Sequence, residues 1–377
     1  MNYKSQAIDF SNKMEYRTPP YSKRNWGHPW HSLCSYHGKI KPAIAHILVR
    51  DFTSPGDIVL DPLCGVGTIP FEACLQGRKG IGNDLSKLAY IVSSAKMNYP
   101  TLREAKKTIT DLRAVINDKL NENIDLSQAD FGLNKKITDY FETNVLKEIL
   151  ILREYFLSLS TMTRSEIFVF ACFLHILHGN RPYALSRTSH PLTPYAPKGE
   201  FVYKNVVDHI EKKVILSFNK EPDPNWERGE TYNLDYRDLC KVAVPEKTID
   251  AIITSPPFSD SLRFYSQNWM RLWLAGWTPE DFKNVDQRFL ETQQDTDLSI
   301  YINFFEKCQR LLTDRGKLIL HLGKTRNCDM AKELEKLSKP FFQTILTANE
   351  NVQGNEKHGI KDKGGTIEHQ YLFLQKR

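Results

Sequence analysis

Along the first hundred residues the apolar positions switch between two arrangements. "DIVLD", Asp57 to Asp61, is a short apolar run of the kind a buried strand needs, and "KGIGND" supplies a second strand, ending in Asp84. Around them lie helical spacings. "KPAIAHILVRDFTS" repeats apolar residues at Ile44, Ile47 and Leu48 before Pro55-Gly56 stops it; "TIPFEACLQG" closes on Gly77, and "SKLAYIVSSAK" follows Ser86, the expected N-cap. Short strands alternating with helices of this length predict a parallel, doubly wound sheet. Ahead of it, residues 1–30 are rich in Pro, Tyr, Arg and Lys and are expected to form an irregular arm.

The alternation then breaks. From Leu102 to Asn219 the spacing is mostly helical, interrupted by "NRPYALSRTSHPLTPYAPKG". Strands resume with "ETYNLD" and "TIDAIITSPPF", "GKLILHLG" adds another, and "FFQTILTAN" with "EHQYLFLQK" form a final pair. Residues 31–100 and 226–377 therefore read as one α/β core, and 101–225 as a mainly helical insertion. The link between the final two strands, "ENVQGNEKHGIKDKGGTI", is long, basic and glycine-bearing, a loop suited to ordering on a ligand.

Composition narrows the class. At 377 residues, 41% hydrophobic and 25% charged, the chain is an ordinary globule able to bury a sizeable core. No apolar run approaches the roughly 18 residues that span a bilayer, and the start lacks a signal peptide's apolar segment, so a cytoplasmic protein without membrane contact is expected. Seven cysteines without a C-x-x-C pair exclude a zinc ribbon and a full disulfide framework and are expected to be reduced. His175 and His178 lack carboxylate or cysteine at ligand spacing, and no metal is expected. A net charge of +6 leans toward a polyanionic partner.

Two stretches carry chemistry. In "VLDPLCGVGT" a buried strand ends at Asp61 and is followed by Gly65 and Gly67, placing a close-approach turn at the carboxyl edge of a parallel sheet, where such sheets bind ligands. The missing third glycine disfavours a dinucleotide. Asp84, at the tip of the next strand, is placed to accept from two ribose hydroxyls. In "AIITSPPF" a second buried strand runs into Ser255, Pro256, Pro257 and Phe258, and two prolines fix the backbone there without help from side-chain packing. A hydroxyl, a carbonyl and an aromatic face on a rigid corner suit the exocyclic amine of a nucleobase taken out of the stack.

These motifs together resemble those of the S-adenosylmethionine-dependent amino-methyltransferases of DNA, the N4-cytosine and N6-adenine group. "KPAIAHILVRDFTSPGDIVLDPLCGVGT" is similar to that family's cofactor motifs, a Lys-Pro helix running into D-P-F-x-G-S-G-T, and "TSPPF" to its catalytic [DNS]-P-P-[YF]; Leu63, Val66 and Ile69 depart from the pattern. The resemblance implies a Rossmann-like class I methyltransferase: an α/β fold with a mostly parallel seven-stranded sheet and an antiparallel last strand. It implies S-adenosyl-L-methionine as cofactor, with Lys41, Pro42, Asp61, Pro62, Cys64, Gly65, Gly67, Thr68, Asp84, Leu85 and Asp235 around it and Asp238 as the alternative to Asp235. Ser255 with the Pro256 carbonyl would hold the target amine, with no covalent step at Cys64. Serine at the first catalytic position points to cytosine N4 in double-stranded DNA with the target base flipped. Adenine N6, an RNA base amine and a non-catalytic nucleic-acid binder stay open, as do a companion restriction endonuclease and the oligomeric state. In the insertion, Arg181, Arg187 and His190 are the candidates for gripping nucleic acid, with plain connector chain as the alternative. His31, His37 and Lys39 are candidates for the cleft wall, with capping or packing as the alternative.

Overall fold

Strand β1 (Ile58–Asp61) is short enough to be sealed by its two parallel neighbours, β2 (Lys79–Asn83) and β4 (Ile249–Thr254), and three of its four residues are buried. The computed structural model describes residues 2–23, 25–259, 264–285, 289–352, 356–357, 360–361 and 365–377, with backbone alone at 356–357 and 360–361. The chain opens with α1 (Tyr3–Lys13) and α2 (Pro42–Phe52), then alternates β1, α3 (Thr68–Leu75), β2 and α4 (Lys87–Met97). Four longer helices follow, α5 (Leu102–Lys119), α6 (Thr143–Ser158), α7 (Arg164–Ile176) and α8 (Val206–Phe218). After β3 (Glu230–Tyr232), α9 (Leu239–Val242) and β4 come α10 (Phe264–Leu274), α11 (Pro279–Lys283), α12 (Leu290–Gln293) and α13 (Ile300–Leu311). The chain closes with β5 (Leu312–Thr325), α14 (Met330–Ser338), β6 (Phe342–Asn351), the pair β7 (Glu356–Lys357) and β8 (Ile360–Lys361), and β9 (Thr366–Lys376).

Seven strands form one sheet in the order β3-β2-β1-β4-β5-β9-β6, parallel except for β9, which runs antiparallel to both β5 and β6. The strand order reverses direction beside β1, so the loops after β1 and β4 open on the same carboxyl edge. This is the Rossmann-like class I architecture, and the final pair is antiparallel as expected. β7 and β8 fall in the long link between that pair; most of that link lies outside the described residues, and with it the expected ligand-ordering loop.

The N-terminal segment differs from its expectation. Residues 3–13 form a helix, capped by the Asn2 side chain, and Tyr3, Ala7 and Phe10 lie on one buried stripe. Phe10 meets Tyr371 at 5.0 Å and Phe373 at 5.7 Å between ring centroids, and the Tyr3 hydroxyl donates to the Leu374 carbonyl at 3.3 Å. Three apolar positions over two turns are too few to stand out from a Pro- and Tyr-rich segment; the rings they pack on lie some 360 residues later. Helix α14 was likewise absent from the reading, although Met330, Ala331 and Leu334 make its buried stripe.

Helices α5 to α8 build a second apolar core with α4 and α10, in which Phe168, Phe170, Phe173 and Leu177 are buried as their spacing predicts. All seven cysteines are free. Among the described residues no helix is long and apolar enough to cross a membrane. Arg271 of α10 is fully buried and donates to the carbonyls of Leu174, Pro191 and Leu192, pinning the irregular segment of the insertion onto the helices.

Lys96, on α4, is also fully buried, and its ammonium has no hydrogen-bond partner among the described residues. Burial, followed by the nearby Lys39, pushes its pKa down to about 7. The unfolded chain releases this proton only near pH ~10.4, so the folded state binds fewer protons between these values. The penalty for burying the charge is therefore whole below pH 7 and fades as pH rises toward about 10. Lys96→Met should raise the urea midpoint of unfolding, most at pH 6 and progressively less up to pH 10. A gain independent of pH would show that the charge is not the cause.

Candidate active site

The turn after β1 is built by close approach. Gly65 and Gly67 have φ of +50° and +67°, and a side chain at Gly67 would meet Ser93 of α4 at 2.6 Å, so Gly67 serves helix packing as well as the turn. At Gly65 the nearest atom to an added Cβ is on the Tyr36 ring, 3.7 Å away, which leaves a half-exposed cradle bounded by an aromatic edge. The Asp84 carboxylate braces this turn, accepting from the amides of Gly65 and Ser86, both at 2.8 Å. Ser86 is the N-cap residue of α4 as expected, but no side chain, its own hydroxyl included, caps the first turn of that helix. Asn83 ties two loops to the end of β2: its amide donates to the carbonyls of Pro62 and Leu234, and its oxygen accepts from the Leu234 amide.

Asp61 is 3% exposed and accepts from the Leu63 amide at 3.1 Å. Burial raises its carboxyl to about 7 and that of Asp84 to about 6. Two neighbouring carboxyls whose ionisation burial makes harder suit a cationic ligand, whose positive charge would favour their ionised forms. The Thr68 hydroxyl is buried beside the turn with no hydrogen-bond partner among the described residues. A cradle, a braced carboxylate and an unpartnered hydroxyl fit a sulfonium nucleoside carrying an ammonium group. Cys64 contributes backbone only: its thiol packs on Gly82, and burial, then Asp84 and Asp61, push its pKa well above the ordinary value.

β4 lies next to β1, with Leu60 level with Ile252, so Ser255 emerges beside Asp61 at the same edge. The Pro-Pro corner is held by side chains that the sequence reading passed over. Gln294 donates to the Pro257 carbonyl at 3.1 Å and is itself fixed by the Tyr301 hydroxyl at 2.8 Å. The Ser255 hydroxyl lies 3.0 Å from Nδ1 of His321 on β5. Phe258 packs its ring 5.3 Å from that of His321 and 5.9 Å from that of His369, over Gly323, where an added Cβ would fall 2.5 Å from the Phe258 ring. Residues 260–263, which follow the corner, lie outside the described residues. A glycine at the carboxyl end of a central strand, "HLGK", is the one sequence signal that could have marked this contact.

The other candidates are distributed as follows. Asp235 accepts from the Arg237 amide and side chain, capping a single 3-10 turn at Tyr236–Asp238. Asp238 is exposed. The Leu85 carbonyl accepts from Asn233. Lys41 sits at the N-cap of α2 and donates to the Tyr16 carbonyl, and Pro42 opens that helix against Gly27. His31 is a packing residue rather than cleft wall: buried, with its pKa lowered to about 4 by that burial, it pairs with Glu72 at 2.6 Å, and His46 holds the other oxygen. Lys39 donates to the His31 carbonyl, and His37 is half-buried.

In the insertion, two of the three expected phosphate-gripping side chains have other work. Arg187 donates to the carbonyls of Gly199 and Asp139 and stacks on Phe201. His190 accepts from the amides of Leu192 and Thr193, folding its own loop. Arg181 remains exposed on a cavity of about 430 Å³ shared with Lys198 and Lys204.

Residues 29–130 match the model of the family described as UPF0020, an RMKL-like methyltransferase domain. An 82-residue stretch is 27% identical to the type II methyltransferase M.MjaII of Methanocaldococcus jannaschii; it takes in 22% of this chain and only 16% of that protein. Solved structures aligned with the chain include a TehB-like SAM-dependent methyltransferase from Corynebacterium glutamicum (8% identity, TM-score 0.31, 88% of this chain and 87% of that one). An rRNA methyltransferase, aviRa, from Streptomyces viridochromogenes aligns with 8% identity, TM-score 0.34, and 90% and 86% coverage. The glycine turn after β1 falls within the residues matched to that methyltransferase-domain family.

Two outcomes test the site. Equilibrium binding of S-adenosylmethionine should tighten as pH rises through about 6 to 7, as the two carboxyls ionise, and Asp84→Asn should weaken binding and flatten that dependence. In the unliganded protein the same raised pKa values favour folding at pH below ~4, and this contribution is lost as pH rises through 6 to 7. Gly323→Ala should displace Phe258, reducing turnover while leaving cofactor affinity unchanged; loss of both in parallel would show general disruption of the edge.

Proposed function

We propose that the chain is an S-adenosylmethionine-dependent DNA methyltransferase acting on the exocyclic N4 amine of a flipped cytosine. The observation carrying this reading is the meeting, at one sheet edge, of the glycine turn after β1 and the Ser255-Pro256-Pro257-Phe258 corner after β4. The cofactor supplies an electrophilic methyl group on sulfur. Everything else is positioning and charge. Asp61 and Asp84 complement the cofactor's positive charge and ribose hydroxyls. The Ser255 oxygen and the Pro256 carbonyl accept from the two N–H bonds of the amine, drawing its nitrogen toward tetrahedral geometry and freeing the lone pair for in-line attack. Phe258, with one face covered by β5, turns the other to the base.

Serine at position 255 supports cytosine through the family resemblance, and the net charge of +6 supports a polyanionic substrate. A companion restriction endonuclease and a cytoplasmic site of action belong to the same proposal.

The test is incubation with unmethylated genomic DNA and methyl-labelled S-adenosylmethionine, followed by digestion to nucleosides and mass analysis. Labelled N4-methylcytosine is the expected product. N6-methyladenine would overturn the base, and label appearing only in a parallel RNA sample would overturn the nucleic acid. Ser255→Ala should reduce turnover about 100-fold or more, with cofactor affinity kept.

A further inference from the structure

The Ser255 hydroxyl has one hydrogen-bond partner among the described residues, Nδ1 of His321, 3.0 Å away. A serine that accepts from the target amine must send its own proton elsewhere, and this nitrogen is the acceptor in place to take it. We propose that His321 is the positioning residue and proton acceptor of the transfer reaction, holding the Ser255 hydroxyl with its lone pairs toward the amine and receiving, through that hydroxyl, the proton the amine must lose. The proposal rests on the reading of Ser255 given above.

Alkylation of a neutral amine by a sulfonium leaves the nitrogen cationic, with one proton in excess. That N–H bond breaks as Ser255 Oγ takes the proton; the original Ser255 O–H bond breaks as Nδ1 of His321 takes the other, and the positive charge ends on the imidazole. No oxidant, reductant or second reactant is needed.

The surroundings of His321 suit this role. Its ring is buried, and Nε2 has no hydrogen-bond partner among the described residues. On β9 it faces Tyr371 and His369, at 5.1 and 5.0 Å between centroids, and Phe258 covers it from the corner. Beyond them, the Tyr371 hydroxyl donates to that of Tyr16, Tyr16 donates to Glu350 on β6 at 2.7 Å, Arg17 lies 3.5 Å from the same carboxylate, and His369 lies 3.9 Å from it. Burial, and then His369, hold the imidazole well below its ordinary pKa, so it is neutral and receptive at neutral pH. A weak base suffices, because an alkylated exocyclic amine of a nucleobase is a strong acid. His369 and Glu350 then offer a route for the charge toward the surface.

The experiment combines a spectrum with a rate. In ¹⁵N-histidine-labelled, ligand-free protein, the His321 ring, assigned by its loss in His321→Asn, should show the Nε2–H tautomer, and Ser255→Ala should shift its Nδ1 resonance. The Nδ1–H tautomer, or an imidazolium at neutral pH, would overturn the hydrogen-bond assignment. In single-turnover methyl transfer to DNA at saturating S-adenosylmethionine, His321→Asn keeps an acceptor near the Nδ1 position and no base. It should be slowed about 100-fold and lose the fall in rate that the wild type shows on the acid side, with cofactor and DNA affinities unchanged. A wild-type rate in His321→Asn would overturn the relay. A wild-type protein that transfers no methyl group to DNA or RNA would remove the functional reading and the relay with it, and the tautomer would still decide the Ser255–His321 bond.

Discussion

The cleft depends on one buried side chain, Asn83. With two donors and an acceptor in a water-free position, it satisfies backbone groups from the turn after β1 and from the chain after β3 at once. A buried amide that completes three bonds fixes geometry more tightly than apolar contact, because any displacement leaves unpaired polar groups in a low-dielectric interior. The glycine turn, the Asp84 brace and the start of α4 all take their positions from that knot. Asn83 is the last residue of β2 and is flanked by residues with obvious roles, which is why its type alone did not mark it.

What could be read from the sequence follows the same logic. β1 and β4 were legible because each is a short apolar run leading into proline, and β2 because it lies between two helical spacings, patterns local in the chain. Gly65, Gly67 and the Ser255-Pro256-Pro257-Phe258 corner were legible for the same reason. His321, Gly323 and Gln294 were not: each matters through a neighbour 37 to 66 positions away, and nothing local distinguishes a functional histidine in "LILHLG" from a packed one. Arg187 and His190 show the converse. Their chemistry fitted a phosphate, yet the backbone carbonyls and amides of their own segment took them up first, because an irregular segment lacks sheet or helix partners for its polar groups.

The charges are arranged in two opposed zones. The cleft edge holds carboxyls whose pKa burial raises, whereas the interior behind it, toward the insertion, holds Lys96 and Arg271 with no carboxylate bonded to either among the described residues. Arg271 is satisfied by carbonyl dipoles, a neutral solvation shell made of protein. The helical insertion is thus joined to the core through buried polar contacts and shared apolar packing, and the junction is part of the interior instead of a hinge.

The docking of α1 has a consequence for the order of assembly. Tyr3 and Phe10 rest on Phe373, Tyr371 and the Leu374 carbonyl, all in β9. Helix α1 therefore has no seat until β9 has inserted between β5 and β6, and its apolar stripe is covered only when that pairing is complete. A contact of such long sequence separation carries a large loop-closure cost and forms late. The stripe of Tyr3, Ala7 and Phe10 on α1 is thus an apolar surface that only the completed sheet can bury.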